Sequence, residues 1–538
     1  MFSTTTILAL IIRISIALST RTVFQPDEYF QALEPAHHIV FGYGHLTWEW
    51  LSPNPIRSIV YPALNVPVYW ILKQTGLSNY DFLMVNSPRV LHGSLAALTD
   101  IWICELTRRT IGERYVTTAL FLSLTSFFHA LSLSRSLSNS LETSLTTIAL
   151  AYYPWRKNFS RSDIRKMLLF AALACSVRIT NAVIWVFLIP ILLWRMRFKR
   201  KLLLSTCLET ATVGTTTLAC IFLLDSMYYG KPTFTPLDFL VTNVSGVSLF
   251  YGNNPWHYYM SQALPIICTT SLPFVLDGAR MMFGELVLAV IIWTVSVYSL
   301  AGHKEWRFIH PLVPLFHILA AKSLVDRSSS TPAARSNMKT QRLPLRKAFI
   351  GLVLVTLPAS LWVVLVHCSG PLSVMAFIRN IPEDELQGGV VGLLMPCHST
   401  PGHAYLHRPQ LAHNGLWALG CEPPLSNQNL STYRDQTTIF FADPYQYLMD
   451  RFPAHVNSSF PISLYPASTP GRGNPDDEWL HEWPRYLVLF GALLEERGVI
   501  EYLTKQGYEE VWRRGRYWEG DSDERKGGVR VWKWQPTN

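Results

Sequence analysis

Two adjacent carboxylates, Asp27 and Glu28, follow the first apolar stretch of the chain and are preceded by a proline. Partial loss of hydration at a membrane surface raises the pKa of a carboxyl group, so such a pair can supply a general base. A proline followed by two acidic residues is equally an ordinary helix start. The spacing alone therefore leaves a catalytic and a structural interpretation open for both residues.

A second cluster concentrates charge in the segment 302–308, which lies between two apolar runs. It contains His303, Lys304, Glu305 and Arg307. Lysine and arginine side chains are suited to a phosphate or pyrophosphate group. The alternative is that they anchor the chain at the membrane surface, with an internal Lys–Glu pair. Because the turn is too short to be only a solvated face, we predict that it binds phosphate.

Aromatic and charged residues alternate in the connection that follows the carboxylates. Trp48, Glu49 and Trp50 are adjacent, and Arg57 follows. An aromatic ring beside charged groups suits sugar binding, because the ring packs on C–H groups and the charges bind hydroxyls. An aromatic belt at a membrane surface is the alternative interpretation. A further candidate, His257, either contacts a phosphate or caps a helix.

The elements that position these clusters are predicted to be membrane helices. Charged residues make up 15% of the 538 residues, against roughly 25% in an average soluble chain. This composition excludes an intrinsically disordered chain, a collagen-like fibre and a small disulfide scaffold. Residues 1–368 carry 31 basic and 17 acidic side chains, whereas residues 369–538 carry 15 and 20. The basic surplus therefore lies in the apolar part, as expected for cytosolic membrane loops and not for a nucleic-acid surface.

About eleven transmembrane helices are predicted from apolar runs in residues 1–368. The runs are 4–20, 84–106, 115–133, 141–155, 167–177, 180–194, 203–225, 262–277, 283–301, 308–325 and 348–367. Several are shorter than the roughly 20 residues that cross the hydrocarbon, which is tolerated for half-helices inside a bundle. Residues 369–538 are predicted to form a small α/β module, with strands near 389–394 and 486–490 and a helix near 494–506. The predicted fold class is an all-α polytopic membrane bundle with a small α/β C-terminal domain.

The sidedness of the bundle is predicted from its basic loops. Nineteen Lys and Arg residues fall in four loops, 108–114, 156–166, 195–201 and 326–347. Cytosolic loops carry such an excess, so the N-terminus is predicted to be cytosolic. The connections 21–83 and 226–261 and the C-terminal domain then lie on the lumenal side. Arg13 is predicted to face the bundle interior. Asp100 and Asp225, which lie within or at the ends of spans, need partners, and Arg178 is a candidate for one of them.

The eight cysteines contain no C-x-x-C pair. Cys397-His398 with His403 suggests metal ligands, but no second Cys/His pair lies at zinc spacing, so no metal site is predicted. Cys397 and Cys421 fall on the predicted lumenal side and can form a disulfide in an oxidising compartment. Three N-x-S sequons on that side are candidate glycosylation sites: Asn243, Asn429 and Asn457.

These clusters, in this order, resemble glycosyltransferase family 22, the polytopic mannosyltransferases that use dolichyl-phosphate-mannose. The resemblance covers nearly the whole chain and is carried by the segments 26–31, 41–50, 57–62, 135–139, 178–180, 255–262, 303–308 and 395–401. The HKE-x-RF turn marks the wider family. The LTWEW and MPCHSTP segments are similar to the branch that adds the third mannose to the glycosylphosphatidylinositol (GPI) precursor.

Two positions depart from the family pattern. Many relatives have His where this chain has Gln25, which argues against a role for an imidazole there. Relatives often have Pro where this chain has Ile179, so the turn after Arg178 can take a different shape.

The resemblance implies a GT-C fold in the endoplasmic reticulum membrane, with an active site that opens to the lumen. It implies transfer of mannose from dolichyl-phosphate-mannose to the second mannose of a GPI precursor glycolipid. The product has an α-1,2 link, and the configuration inverts because the donor is β-linked. No nucleotide, metal or other cofactor is expected, since side-chain cations can meet the phosphate.

For that reaction we predict Asp27 as the general base, with Glu28 as its helper or orienting group. The residues predicted to bind the departing phosphate are His303, Lys304 and Arg307, with help from His257. The residues predicted to bind a sugar are Trp48, Glu49, Trp50 and Arg57.

Two alternatives remain at the level of sequence. One is another family 22 mannosyltransferase, which acts on an N-glycan precursor or adds the fourth GPI mannose. The other is a non-enzymatic polytopic protein such as a transporter, scramblase or scaffold. That class favours charges along a pore and internal repeats. Here no repeat is visible, and the charged clusters fall on one predicted face of the membrane.

Overall fold

The computed structural model describes residues 4–156, 159–244, 246–329, 343–425, 431–467, 479–520 and 522–536, so part of the predicted loop 326–347 lies outside the described residues. The α-helices up to residue 328 are α1 (Thr4–Ser19), α2 (Glu34–Phe41), α3 (Trp48–Leu51), α4 (Val66–Gln74), α5 (Asp81–Thr110), α6 (Val116–Thr125), α7 (Ser138–Tyr152), α8 (Arg161–Val177), α9 (Ala182–Arg195), α10 (Arg200–Tyr229), α11 (Thr235–Val244), α12 (Leu264–Cys268), α13 (Leu272–Met281), α14 (Leu286–Ser299) and α15 (Val313–Ser328). Those that follow are α16 (Lys347–Leu354), α17 (Leu357–Leu365), α18 (Gly370–Arg379), α19 (His403–Leu406), α20 (Gln436–Ala442), α21 (Pro444–Arg451) and α22 (Val499–Lys505).

Each of the eleven predicted apolar runs coincides with a helix or a helical run. Among the described residues, four helical stretches are long and apolar enough to cross a membrane: Arg200–Tyr229, Tyr259–Met281, Trp306–Ser328 and Lys347–Arg379. Three shorter apolar helices accompany them: Thr4–Ser19, Ile179–Arg195 and Leu286–Ser299. The chain is therefore a multi-span helical membrane protein.

The helix α15 forms the centre of the bundle, because nearly all of its side chains are buried. It packs against α6 and α13, while α5 packs against α1 and α7. A buried ion pair joins α1 to α5 in the interior. The guanidinium of Arg13 binds both carboxylate oxygens of Asp100, at 2.6 and 2.9 Å.

Arg13 is the partner that neutralises the charge of Asp100. Arg13 also donates to the carbonyl oxygen of Ser123, and the hydroxyl of that serine donates to Asp100. The prediction that Arg178 pairs with Asp100 or Asp225 is wrong. Arg178 lies 3.3 Å from a carboxylate oxygen of Glu142, and Asp225 accepts from the hydroxyls of Ser58 and Thr235. Two helices far apart in sequence thus meet through a fully buried charge pair.

The C-terminal part contains a mixed five-stranded sheet. Its strands are β1 (Val391–Leu394), β2 (Leu416–Ala418), β3 (Tyr486–Phe490), β4 (Tyr508–Arg514) and β5 (Val529–Trp534). The spatial order is β2-β1-β3-β5-β4. Strands β1, β2 and β3 are parallel, whereas β5 is antiparallel to both β3 and β4. The predicted strands at 389–394 and 486–490 correspond to β1 and β3, which are the most buried strands.

Side-chain alternation gives this sheet two apolar faces. On one face Val391, Val488 and Val531 pack with α18. On the other face Leu487 and Leu489 pack with the helices α20, α21 and α22. The module is therefore a sheet between two helical layers, as the α/β prediction requires.

Polar contacts attach this module to the long connection after α1. Glu34 is fully buried, and its two carboxylate oxygens accept backbone N–H groups of His45 and Ala404, at 2.7 and 2.6 Å. Burial raises the pKa of Glu34 to about 7. Nearby, the rings of His37 and His407 are hydrogen bonded at 2.9 Å. The two parts of the chain thus share a polar interface beside the predicted catalytic segment.

Candidate functional site

A cavity of about 740 Å³ lies between the helical bundle and the C-terminal module. Residues from both predicted charge clusters and from the predicted sugar-binding segment line it. Four residues of the C-terminal part join them: Cys397, His398, Cys421 and Arg525. The residues singled out from the sequence as catalytic, binding, disulfide, metal-ligand or glycosylation candidates that line it are Asp27, Trp48, Glu49, Arg57, Asn243, His303, Lys304, Arg307, Cys397, His398 and Cys421. The acidic connection and the cationic turn, some 280 residues apart, therefore meet in one site.

Asp27 is presented to this cavity by a local helix start. Pro26 begins a helical run that continues through the π-helical turn Tyr29–Leu33, a type of distortion frequent at functional sites. The Oδ2 atom of Asp27 accepts a hydrogen bond from Nη1 of Arg307 at 2.5 Å. Among the described residues no group donates to Oδ1 of Asp27, so this oxygen is available to a ligand in the cavity.

Glu28 points away from Asp27 and serves the fold. Its carboxylate accepts the backbone N–H of Phe24 at 2.9 Å and that of Gln25 at 3.2 Å. It also lies 3.2 Å from the guanidinium of Arg135, and both side chains are almost fully buried. Because Glu28 fixes the turn that carries Asp27 and does not line the main cavity, its position is that of an orienting residue.

Arg307 and Glu305 form the rigid part of the cationic turn. The Nε and Nη2 atoms of Arg307 donate to the two carboxylate oxygens of Glu305, at 2.6 and 2.8 Å. Burial alone raises the pKa of Glu305, but Arg307 and His303 outweigh it and hold this pKa below its usual value. The guanidinium of Arg307 is thus held between two carboxylates, those of Glu305 and Asp27.

Lys304 differs from Arg307 in its partners. Its ammonium group donates to carbonyl oxygens, that of Asn254 at 2.7 Å and that of Gly302 at 3.5 Å. The side-chain amide of Asn254 donates in return to the carbonyl of Lys304. Burial lowers the pKa of Lys304. Since no carboxylate among the described residues pairs with this ammonium, its charge is available to an anion in the cavity.

Trp48 and Tyr251 form an aromatic wall of the cavity, with ring centroids 6.4 Å apart and nearly parallel planes. Beside them, Glu49 accepts from Nη2 of Arg57 at 2.5 Å and from the amide of Gln31 at 3.0 Å. An aromatic wall next to a hydrogen-bonded charge network suits a sugar ring, and sugar binding by this wall stays a prediction. Sequence reasoning missed Tyr251 because its segment carries no charge.

Besides Glu28, two predicted binding residues lie outside the cavity. The indole of Trp50 is buried and donates to the carbonyl of Phe30, so it supports the fold of the connection. His257 is exposed, and its Nδ1 atom lies 2.9 Å from the hydroxyl of Ser261. The structure does not bring His257 to the other candidate phosphate ligands.

The candidate glycosylation sites lie in different surroundings. Asn457 is exposed in a turn, where its side-chain oxygen accepts from Ser459. Asn243 lines the rim of the cavity, and its amide donates to the carbonyl of Phe239. Asn429 lies outside the described residues.

Cys397 and Cys421 form a disulfide in the cavity wall, with their Cα atoms 5.9 Å apart. His398 and these two cysteines offer three ligand atoms within 4.8 Å, the one such group in the described part of the chain. Both sulfurs are bonded to each other, so neither is a thiolate that could bind a metal. Burial lowers the pKa of His398 to about 3, so its imidazole is neutral.

We expect the disulfide to stabilise the cavity wall. Replacing Cys397 with Ser should lower the free energy of unfolding by about 3 kcal/mol, because the bond closes a loop with a sequence separation of 24. The midpoint of thermal unfolding of the purified protein measures this effect. Cys207→Ser, at an exposed unpaired cysteine, is the matched control. Equal midpoints for the two variants would contradict the prediction.

The amino-acid sequence is similar to those of known mannosyltransferases. A model of the Alg9-like mannosyltransferase family matches residues 4–407. The chain is 34% identical over 505 residues to "GPI mannosyltransferase 3" of Yarrowia lipolytica, covering 92% of this chain and 90% of that protein. It is 32% identical over 458 residues to "GPI alpha-1,2-mannosyltransferase 3" of Homo sapiens, covering 84% of this chain and 77% of the human protein.

The fold also has a solved counterpart. The crystal structure of ArnT from Cupriavidus metallidurans bound to undecaprenyl phosphate matches with a TM-score of 0.53 and 12% identity. The match covers 99% of this chain and 98% of that one. At this identity the likeness concerns the fold, and it confirms the predicted polytopic helical architecture of the GT-C type.

Proposed function

The chain belongs to the Alg9-like mannosyltransferase family, and on this basis we propose that the cavity transfers mannose to a GPI precursor. The chain is an α-1,2-mannosyltransferase, as are the relatives that match most of its length. The proposed donor is dolichyl-phosphate-mannose, and the proposed acceptor is the second mannose of the precursor. The product is the α-1,2-linked third mannose.

The observation that carries this proposal is the meeting of Asp27 with the cationic turn in one cavity. A carboxylate with one free oxygen and an ammonium with no carboxylate partner among the described residues are the two groups that glycosyl transfer from a phosphate requires. One accepts a proton and the other stabilises a leaving phosphate.

The proposed reaction is a single displacement. Asp27 takes the proton of the acceptor hydroxyl while the hydroxyl oxygen forms a bond to C1 of mannose. The bond between C1 and the phosphate oxygen breaks, with positive charge developing on the sugar ring as in other glycosyl transfer. Lys304 stabilises the phosphate that leaves. Attack opposite to the leaving group inverts the configuration without a covalent intermediate.

Arg307 has a positioning role in this scheme. It binds Asp27 through Nη1 while Glu305 accepts from Nε and Nη2 of the same guanidinium, so the carboxylate of Asp27 is held in one position. Glu28 orients the same turn through its contacts with Arg135 and with the backbone N–H groups of Phe24 and Gln25. His303 contacts Glu305 at 3.2 Å and completes the arrangement.

The proposed location is the endoplasmic reticulum membrane, with the N-terminus in the cytosol. The cavity and the C-terminal module would then face the lumen. The excess of Lys and Arg in the four loops 108–114, 156–166, 195–201 and 326–347 supports this orientation, because such loops are cytosolic. The Cys397–Cys421 disulfide agrees with it, because disulfides persist in the oxidising lumen.

A transfer assay tests the proposed function. Membranes that contain the protein are incubated with labelled dolichyl-phosphate-mannose and a GPI acceptor with two mannoses. We expect one mannose to be added in a link that an α-1,2-specific mannosidase removes. Transfer to an N-glycan precursor or to a three-mannose GPI acceptor, but not to the two-mannose acceptor, would instead support another activity within the family.

Lys304→Ala should lower the catalytic efficiency toward the donor at least tenfold, because a buried cation that meets the phosphate is lost. Initial rates at varied donor concentration measure this change. Lys231→Ala is the matched control, since Lys231 is an exposed lysine bonded to the carbonyl of Pro53 and does not line the cavity. Equal efficiencies for the two variants would remove Lys304 from the phosphate role.

A further inference from the structure

A second, smaller cavity of about 30 Å³ lies beside the turn that carries Asp27. Glu28 and Tyr29, which follow Asp27 in the chain, line it together with residues of α1, α5, the connection 134–136 and the C-terminal part. Among the described residues none lines both this cavity and the larger one. The smaller cavity is therefore a separate space, and the proposed reaction gives it no role.

Arg89 supplies a positive charge to this second cavity. It lies in α5, inside the apolar run 84–106 that is predicted to cross the membrane. Its guanidinium lies over the ring of Tyr405, with 6.0 Å between the guanidinium carbon and the ring centroid. In the described part of the chain no oxygen accepts a hydrogen bond from this guanidinium, and no carboxylate pairs with it. A charged side chain within a membrane span is costly unless it is paired, and such residues commonly mark a functional site.

Arg135 also lines the second cavity, but its nitrogen atoms already have partners. Its Nε atom donates to the carbonyl of Leu131, and its two Nη atoms donate to the carbonyl and hydroxyl oxygens of Thr22. The carboxylate of Glu28 lies 3.2 Å from Nη1 and balances the charge of Arg135. The charge of Arg89 is therefore the net charge of the described residues that line this cavity.

Hydroxyl groups in the lining of the second cavity also lack partners. Tyr69 and Ser134 both line the cavity, and both are buried. The hydroxyl of each has no hydrogen-bond partner among the described residues. A buried hydroxyl that makes no hydrogen bond is costly. These two hydroxyls therefore indicate that an acceptor of hydrogen bonds binds between the residues that line the cavity.

The size and the donors of the second cavity define the class of ligand. A water molecule needs about 10–15 Å³ of such space, so a cavity of about 30 Å³ admits a small ion and excludes a sugar ring. A guanidinium only donates hydrogen bonds, and a hydroxyl donates one. Hydrogen bonds from such groups to an ionised acceptor are about twice as strong as those to a neutral one. A water molecule satisfies the hydroxyls but leaves the charge of Arg89 without a counter-ion, whereas an anion satisfies both.

We propose that the second cavity binds a small inorganic anion, held by the guanidinium of Arg89 and by the hydroxyls of Tyr69 and Ser134. The anion neutralises Arg89 inside the predicted span. It lies beside the Glu28–Arg135 pair, which fixes the turn that carries Asp27. Chloride and inorganic phosphate share the required chemistry. The site does not depend on the proposed mannose transfer.

Thermal unfolding of the full-length protein in a neutral detergent tests this anion site. Chloride, or inorganic phosphate in a parallel titration, replaces gluconate at constant pH and ionic strength, so general screening of charges stays the same. For the unaltered protein we expect at least one of the two anions, at about 100 mM, to raise the thermal midpoint by about 2 °C or more, because a ligand that binds only the folded state stabilises it. The anion that produces the rise is thereby identified. A midpoint that responds to neither anion would overturn the inference.

Replacing Arg89 with Leu shows where the anion binds. This variant lacks the proposed counter-charge and should lose the anion-dependent rise of the midpoint. The matched control is Arg280→Leu, at an exposed arginine of α13 that does not line the second cavity, and it should keep the rise. Equal responses of the two variants would show that the anion binds elsewhere, which contradicts the proposal.

A smaller change serves if Arg89→Leu does not fold. Ser134→Ala should raise the anion concentration at half of the maximal rise about tenfold, because one hydrogen bond to a charged group is lost. Its control is Ser94→Ala, since the hydroxyl of Ser94 donates to the carbonyl of Val90 in its own helix and does not line the cavity. The same half-maximal concentration in both serine variants would likewise refute the site.

Discussion

Replacing Asp27 with Asn is expected to lower the turnover number for mannose transfer about a thousandfold. A positioned general base contributes roughly 10²- to 10⁴-fold to a rate, and an amide cannot accept the proton. The amide oxygen of the introduced asparagine can still accept the hydrogen bond from Arg307, so the local geometry is retained. The loss should therefore appear in kcat at saturating concentrations of both substrates, with little change in the thermal midpoint.

The matched control for this variant is Asp238→Asn. Asp238 lies in α11, close in sequence to residues that line the cavity, but it does not line the cavity itself. Its replacement should leave kcat unchanged. Turnover by the Asp27 variant within a few-fold of this control would show that another group removes the proton. A large fall in the thermal midpoint would point instead to a structural role for the carboxylate.

The adjacent carboxylates show how far sequence reasoning reaches at this site. Their position after the first span predicted that the acidic connection matters, but the spacing did not separate the roles of Asp27 and Glu28. The separation depends on Arg135, which pairs with Glu28, and on Arg307, which pairs with Asp27, and both arginines lie more than a hundred residues away in the sequence. Such contacts arise from tertiary packing and leave no local pattern.

The helices were predictable because each apolar run is local. The runs near 203–225 and 308–325 correspond to α10 and α15, although α10 is peripheral and α15 is buried nearly all round. An apolar composition predicts that a helix is removed from water. It does not predict whether lipid or other helices surround that helix, because both are apolar. The central place of α15 therefore could not be predicted.

The C-terminal sheet illustrates a different limit. The strands β1 and β3 are buried on both sides and read as continuous apolar runs. The strand β2 has three residues, and β4 is mostly exposed at an edge of the sheet, so neither gives a clear signal. The place of Arg525 depends on the β4–β5 hairpin, and for that reason no local pattern indicated it.

The interior ion pair between Arg13 and Asp100 should have a large effect on stability. Asp100→Leu leaves the guanidinium of Arg13 buried without its carboxylate, and removing one partner of a buried pair costs about 3–5 kcal/mol. The double variant Arg13→Met/Asp100→Leu removes both charges and should recover most of this loss, because two apolar side chains then pack in the bundle interior. Thermal unfolding in detergent measures the stability of the unaltered protein, of Asp100→Leu and of the double variant.

A surface pair provides the comparison that separates burial from charge pairing. Arg327 binds Asp277 with both side chains nearer to the surface, and Arg327→Met should shift the thermal midpoint far less than Arg13→Met, since water replaces the lost partner. Equal shifts at the two sites would show that the interior pair is already hydrated. A double variant less stable than Asp100→Leu alone would show that Arg13 stabilises the bundle through Ser123 and not through Asp100. Recovery in the double variant is expected because the cost lies in the unpaired charge.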